Sequence, residues 1–355
     1  MQIVAAACTQ HELPLLAPWH SAAGKVTARS IRLLTLHTDS GLAGYGECAP
    51  LVSHGSEDFA TATRALGRWC RDAGGRTPAA LLAALPAADD CPAPAARSAI
   101  ECALLDLQAQ AAGLPLAQML APAAATGVAV NAMGGTLAAD APAGILALAA
   151  AGFRVIKLKL GVAGCDAEMA ALQALCGQLP DAVRLRLDVN GAWDEATARR
   201  CCALAKDLPI ESLEEPLHAP TLAALRTLQE ACAFPLAVDE SWSTLDHEAF
   251  LAAPPVRRLT LKLAALGGPL PALALAKRAR AAGIDCVVTT GIDGACATLA
   301  AAHLAAALDN GLAHGLATSA WLERDIGSAP AVADGRLQLP SIPGIGFSPA
   351  PAAIR

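Results

Sequence analysis

Residues Phe153 to Leu160 read Phe-Arg-Val-Ile-Lys-Leu-Lys-Leu, with Gly152 before and Gly161 after. A β-branched, apolar run of this kind predicts a buried strand, and a period of two puts Val155, Lys157 and Lys159 on one face. Burial and a neighbouring ammonium both disfavour the charged form of a lysine. The pair therefore predicts an amine lowered toward neutrality, as proton abstraction requires. Taken alone, the pair fits equally well two strand-end lysines reaching solvent. Three acids downstream shift that balance. They end later apolar runs: Asp188 in Leu-Asp-Val-Asn-Gly, Glu214 in Leu-Glu-Glu-Pro and Asp239 in Val-Asp-Glu-Ser. Lys262 follows in Thr-Leu-Lys-Leu. A carboxylate inside an apolar strand requires an ion partner or a metal.

Three hard oxygen donors on rigid strands suit Mg²⁺, with Mn²⁺ as an admissible substitute. A cation there would neutralise a substrate carboxylate, and removal of the adjacent α-proton would build an enediolate that the cation stabilises. Lys159 is the expected base, Lys157 the group that tunes it, and Lys262 a fixed positive charge or second acid/base. Asn190, Glu215 and Glu240, beside the acids, are expected to support them. Thr290 and Gly291 are expected to offer backbone groups to the substrate. Trp193 and Trp242 are candidates for the pocket rim or for packing, and Trp321 for a substrate contact.

The elements that must carry these groups follow from periodicity. Residues 1 to about 50 predict antiparallel strands, with 18–25 as a polar loop between the first two, and Asp58 to Leu120 predicts helices. Beyond Pro122, strands are predicted at Val128–Met133, Phe153–Leu160, Arg184–Asn190, Glu211–Glu215, Leu236–Asp239, Arg258–Leu263, Cys286–Thr290 and Ala313–Thr318. Their starts recur at about 22 to 31 residues, one βα unit each, which points to a parallel barrel. The chain thus divides into an α+β domain over 1–120, a barrel over 121–329, and a Pro/Gly-rich tail over 330–355 expected to pack back on the first domain. Glu101 and Asp106 are expected to hydrogen-bond between domains.

Composition closes off other classes. The net charge of −6 argues against nucleic acid or an anionic membrane as partner. Mean hydropathy is +0.42, but no uncharged run approaches the ~20 residues of a spanning helix. No secretory leader is legible, so a cytoplasmic location is expected. The 12 scattered cysteines, with no C-x-x-C pair, read as free thiols.

The ordered set Lys157-x-Lys159, Asp188-x-Asn190, Glu214-Glu215-Pro216, Asp239-Glu240-Ser241 and Lys262 before Gly267-Gly268 resembles the muconate-lactonizing subgroup of the enolase superfamily. The resemblance implies a (β/α)7β modified TIM barrel, α/β in class, under an N-terminal α+β capping domain. Within it, Gly44-Tyr45-Gly46-Glu47 looks like the capping signature, and the loop from Trp19 to Lys25 would close over a small carboxylate substrate. A second copy of the chain is also an admissible partner. Segments 288–293 and 314–318 are similar to o-succinylbenzoate synthases, lyases of the menaquinone route. Racemisation of an N-acyl amino acid or dipeptide, and cycloisomerisation of muconate, are the alternatives. Dipeptide epimerases of this kind usually carry an Asp-x-Asp on the eighth strand, where Ala317 and Ser319 stand here.

Overall fold

The structure is a computed structural model that describes residues 1–21, 24–138 and 141–350. It opens with the antiparallel strands β1 (Ile3–Ser21), β2 (Gly24–Thr38) and β3 (Ala43–Cys48), followed by helices α1 (Phe59–Asp72), α2 (Pro78–Ala83), α3 (Pro94–Ala112) and α4 (Leu116–Leu120). The expected loop over 18–25 is instead the end of a long hairpin. Backbone pairing runs from Trp19↔Val26 to Ser21↔Gly24, while the tip, Ala22 and Ala23, lies outside the described residues. Helix α3 starts on a proline in its first turn and ends on Gly113 in the left-handed conformation, whose N–H caps Ala109 and Gln110. It packs against β3 so closely that a Cβ on Gly46 would lie 1.8 Å from the carbonyl oxygen of Ala99.

The rest of the chain alternates strand and helix: β4 (Gly127–Ala129), β5 (Ala132–Thr136), α5 (Ala141–Ala150), β6 (Val155–Lys159), α6 (Cys165–Cys176), β7 (Arg184–Asp188), α7 (Glu195–Ala205), β8 (Ile210–Glu214), α8 (Leu222–Ala231), β9 (Leu236–Val238), α9 (His247–Ala252), β10 (Arg258–Leu261), α10 (Leu263–Leu266), α11 (Pro269–Ala281), β11 (Asp285–Val288) and α12 (Ala295–Leu308). Strands β5 to β11 form one parallel sheet in chain order. Alternate residues such as Ile156, Leu158, Leu185 and Leu187 face outward into a core shared with the helices. Asp194, Thr221 and Asp246 cap α7, α8 and α9 through hydrogen bonds to main-chain N–H groups, fixing where each helix departs from its loop.

Two predicted strands differ from expectation. Val128–Met133 is split: β4 pairs with the tail, and only β5 joins the barrel. Ala313–Thr318 contributes two bridging residues rather than a strand. His314 pairs with Val130 and Gly315 with Thr289. Their backbone bonds (Asn131 N to His314 O, 2.9 Å; Gly315 N to Val288 O, 2.9 Å) join the two edges of the sheet. Backbone pairing is thereby satisfied around the ring with little regular strand.

The tail divides its contacts between the two domains. Its β12 (Val332–Ala333) and β13 (Arg336–Gln338) extend β4 at the barrel end. Among the described residues of the tail, the stretch from Gly344 to Phe347 meets the N-terminal domain, through Leu114, Leu116, Asp106 and Tyr45. Residues 351–355 lie outside the described part. Asp106 ties β3 to that stretch, accepting from Tyr45 N and Ile345 N. Glu101 makes the inter-domain bond, accepting from Leu270 N at 2.6 Å.

The cysteines are not all free thiols. A disulfide joins Cys165 to Cys201 between α6 and α7. Helix α7 runs antiparallel to its strand and packs beside α6, which brings together two thiols 36 positions apart. Cys102 and Cys232 are buried free thiols, as expected, and Cys176 is a half-buried one. Among the described residues no helix is long and apolar enough to cross a membrane.

Candidate active site

Lys157 and Lys159 lie in β6 with their ammonium groups inside the ring, 9% and 7% exposed. Parallel register sets their partners: Lys159 pairs with Asp188 of β7, and Asp188 with Glu214 of β8. Lys157 Nζ stands 2.7 Å from Asp188 Oδ2 and 2.7 Å from Glu214 Oε1. Lys159 Nζ is 2.6 Å from Asp188 Oδ2 and 2.7 Å from Asn190 Oδ1. On the other side, Lys262, just past β10, donates to Asp239 Oδ2 at 2.6 Å and to Glu240 Oε1 at 3.1 Å. Strands β6 and β10 are four apart in the sheet order. In a ring of eight positions that places the two lysines on opposite walls.

The loop after β6 is held by one buried acid. Glu168 accepts from the main-chain N–H groups of Gly161, Val162 and Ala163, at 2.9, 3.0 and 2.9 Å. Asn190 and Glu215, at the ends of β7 and β8, both adopt positive φ, 47° and 46°. These turns redirect the chain directly after Asp188 and Glu214. Glu215 points back into the fold, accepting from Asp239 N at 2.7 Å and Ser241 N at 3.3 Å. Burial, outweighing its hydrogen bond from Ser241, raises its pKa to about 7.

The electrostatics correct one expectation. Burial does disfavour the ammonium of Lys157, but Asp188, Glu214 and Asp239 outweigh it, and the pKa is raised rather than lowered. Lys262 behaves alike: burial is overcome by Asp239 and Glu240. For Lys157 and Lys262 the facing carboxylates thus outweigh burial. Asp188, penalised by burial, is still held low by Lys157 and Lys159. Asp239 is pushed up by burial and by the like charge of Glu240, with Glu214 adding to it.

Among the described residues no three Asp, Glu, His or Cys side chains stand in a ready metal-binding arrangement, because Lys157 sits between two of the expected ligands. The donor chemistry nevertheless fits a divalent, oxygen-preferring cation. Asp188, Glu214, Asp239 and Glu240 bring four carboxylates against the three ammoniums of Lys157, Lys159 and Lys262. Beyond burial, the repulsion from Glu240 and Glu214 that adds to the rise at Asp239 is negative charge that a cation would relieve.

Asp188, Asp239, Glu240 and the three lysines line a cavity of about 240 Å³ between the barrel mouth and the capping domain. Trp19 covers one end, its ring 5.6 Å from Lys159 Nζ and packed edge-on against Trp321 at 4.8 Å. Trp321 thus supports the cover. Trp193 and Trp242 belong to the hydrophobic core. Thr290 and Gly291 line the cavity, but the Thr290 N–H is already donated to Gly315 O at 3.2 Å. What Thr290 presents is its hydroxyl, 2.6 Å from that of Thr318.

Two lining residues, Arg29 and His54, were not singled out in the sequence. Both come from the capping domain, and only the docking of the two domains brings them here. Deeper in the ring, Arg186 and Arg258 clasp Glu211, with Arg186 Nε 3.0 Å from Glu211 Oε2. A register shift between Leu185↔Ile210 and Arg186↔Ser212 places Glu211 in reach. The signal that flags Asp188, a charge inside an apolar run, is present at Arg186 and Arg258 too.

Comparison with known proteins agrees with this architecture. Residues 4–121 match the mandelate racemase / muconate lactonizing enzyme N-terminal domain, and residues 141–353 the enolase C-terminal domain-like family. Muconate cycloisomerase 1 of Pseudomonas putida is 32% identical over 259 residues, covering 71% of this chain and 69% of that protein. L-Ala-D/L-Glu epimerase of Bacillus subtilis is 29% identical over 361 residues, 98% of this chain and 97% of its own. Among solved structures, muconate lactonizing enzyme from Pseudomonas fluorescens complexed with muconolactone superposes with a TM-score of 0.86 at 27% identity, over 98% of this chain and 97% of that one. Dipeptide epimerase from Enterococcus faecalis complexed with Mg and L-Leu-L-Tyr gives 0.87 at 25%, over 98% and 100%. With both halves matched and the two lysines facing each other across a ring of strand-end carboxylates, the chain belongs to the enolase superfamily, in its muconate-lactonizing subgroup.

Proposed function

We propose that the cavity catalyses proton transfer at the carbon α to a carboxylate, acting as a racemase or epimerase of an amino-acid derivative whose amine is acylated. The observation that carries this reading is the placement of Lys159 and Lys262 on opposite walls of one cavity. Two amines on opposite faces of a planar intermediate let one remove the proton and the other return it with inversion. Asn190 orients Lys159, Glu240 orients Lys262, and Lys157 holds Asp188 and Glu214 together. Trp19 and the Thr290–Thr318 pair limit water at the reacting carbon and offer a hydroxyl to the substrate. Magnesium held by Asp188, Glu214 and Asp239 would supply the positive charge that stabilises negative charge on the substrate carboxylate, and would draw the acids away from the amines.

Two relatives matched in sequence over nearly the whole chain are named epimerases, which puts inversion ahead of the dehydration expected from the sequence. The o-succinylbenzoate synthase reading keeps one supporting observation. Segment 317–319, Ala-Thr-Ser, carries no acid to hold a substrate ammonium. That feature counts equally for an N-acylated substrate and against a free dipeptide.

The test is exchange of the substrate α-hydrogen in deuterated water, with N-acyl amino acids, dipeptides, muconate and the cyclohexadiene carboxylate, in Mg²⁺ and in EDTA. Exchange with inversion on an N-acyl amino acid, lost in EDTA, is the expected result. Turnover of the cyclohexadiene or muconate alone would replace the proposal with the corresponding lyase or cycloisomerase.

A further inference from the structure

A second cavity, of about 450 Å³, lies behind the Lys262 wall of the reaction cavity. The capping domain contributes Ala88 and Asp89 to it, and the barrel Ser243, His247, Glu248, Ala265 and Arg278. Among the described residues, the two cavities share His54, Asp239, Glu240 and Lys262, whereas Lys159 lines only the first. Lys262 therefore touches two chambers and Lys159 one.

The second chamber suits water. It is roomy enough for several molecules, and its charged and hydroxyl side chains supply their partners. Glu248 and Arg278, 2.7 Å apart, are 81% and 51% exposed, so the chamber reaches bulk solvent beside them. The wall between the chambers is polar as well. Glu240 Oε1 accepts from Lys262 at 3.1 Å and lies 3.6 Å from His54 Nε2. Glu240 Oε2 and His54 Nδ1 are buried with no partner in the protein, and such atoms draw water to them. Lys159 is placed differently. Asp188 and Asn190 accept from its ammonium at 2.6 and 2.7 Å, and the Trp19 ring lies 5.6 Å from it. A substrate that fills the reaction cavity displaces water from Lys159 but leaves the far side of Lys262 wet.

We propose that the second chamber is a solvent path for Lys262, through which this lysine trades ammonium protons with bulk water while substrate occupies the reaction cavity. The amine takes the proton from carbon and becomes an ammonium. One N–H proton then passes to water for one received, with no change in charge, and the ammonium returns a proton to carbon. This rests on the α-proton chemistry proposed above and deepens it. The two lysines differ in whether the proton they take leaves before it is returned.

The test uses the full chain loaded with Mg²⁺ in deuterated water, with the separate enantiomers of each N-acyl amino acid that exchanges. Mass spectrometry after chiral separation compares deuterium gained by unconverted substrate with inversion. The enantiomer that Lys262 deprotonates is the one that Lys159→Ala still exchanges. In the wild type its ratio of deuterium gain to inversion is expected to exceed that of its mirror image severalfold. Ala265→Leu and Ala88→Leu narrow the second chamber without touching the lining of the reaction cavity, and are expected to bring the two ratios together. A general loss of activity lowers gain and inversion alike and leaves each ratio alone. Equal wild-type ratios, or ratios unmoved by both substitutions, overturn the proposal. Should Ala265→Leu not fold, Ala88→Leu decides. Should no N-acyl amino acid exchange, the α-proton reading fails, and reductive methylation with formaldehyde and cyanoborohydride still decides on the chamber. Slower labelling of Lys262 relative to Lys159 in the narrowed variants upholds the path, and an unchanged ratio rejects it.

Discussion

Lys262 Nζ stands 2.6 Å from Asp239 Oδ2, and this pair faces Lys159 from the opposite wall of the barrel. If the two amines serve opposite faces of one carbon, each is indispensable for one enantiomer. Lys159→Ala and Lys262→Ala should each lower racemisation by about 10²–10⁴-fold or more. Each variant should still exchange the α-hydrogen of the enantiomer whose proton the remaining lysine removes. Proton NMR in deuterated water with separate enantiomers reads this directly. Loss of exchange for both enantiomers in both variants would contradict a two-base assignment.

Glu211 between Arg186 and Arg258 makes a prediction about acid stability. Burial opposes its charge, but Arg186 and then Arg258 hold its pKa at about 2, below the ordinary 4.5. A depressed carboxylate stabilises the fold above its unfolded pKa and loses that contribution as pH falls through the folded one. The loss should therefore fall between about pH 4.5 and 2. Glu211→Gln leaves the buried Arg186 without a carboxylate and Arg258 with only Asp285, 3.9 Å away, at a cost of about 3–5 kcal/mol at neutral pH. Urea denaturation at pH 7 and pH 3 should show the variant's deficit shrinking with acid.

Glu47 predicts the opposite trend. Burial, with Asp293 adding to it, raises its pKa to about 8, although Gly294 N and Ala297 N donate to it at 2.7 and 3.0 Å. A raised carboxyl contributes fully below its unfolded pKa, and the contribution is lost as pH rises through the folded value. Stability should decline from about pH 4.5 to about pH 8, and Glu47→Gln should flatten that slope. Parallel slopes in denaturant titrations at pH 5 and pH 8 would refute the assignment.

Gly46 tests the contact between β3 and α3. A Cβ there would meet the carbonyl oxygen of Ala99 at 1.8 Å, a backbone atom that cannot rotate away. Gly46→Ala should cost about 1–3 kcal/mol or more, whereas Gly67→Ala, in open space on α1, should be neutral to stabilising. Thermal melts of the two variants make the comparison.

Much of this molecule was legible before any coordinates. Period-two apolar runs at Phe153–Leu160 and Arg184–Asn190 mark strands because one face, Ile156, Leu158, Leu185 and Leu187, must pack against the helices. A charge in such a run has to find a partner, and that requirement marks Lys157, Lys159, Asp188, Glu214, Asp239 and Lys262, but Arg186 and Arg258 equally. Spacing along one strand also settles which of them share a face.

Other features depended on distance across the fold. The raised pKa of Lys157 comes from acids 31 and 57 positions away, so counting only its neighbour Lys159 gave the wrong sign. The eighth strand shrank to His314 and Gly315 because closing a ring needs backbone partners on both edges, whatever the local propensity. Arg29 and His54 reach the cavity only because the capping domain docks on the barrel mouth. Local sequence sets the conformation of each strand and the charge it bears. Which charges meet, and so which amine keeps its proton, is decided by packing between segments far apart in the chain.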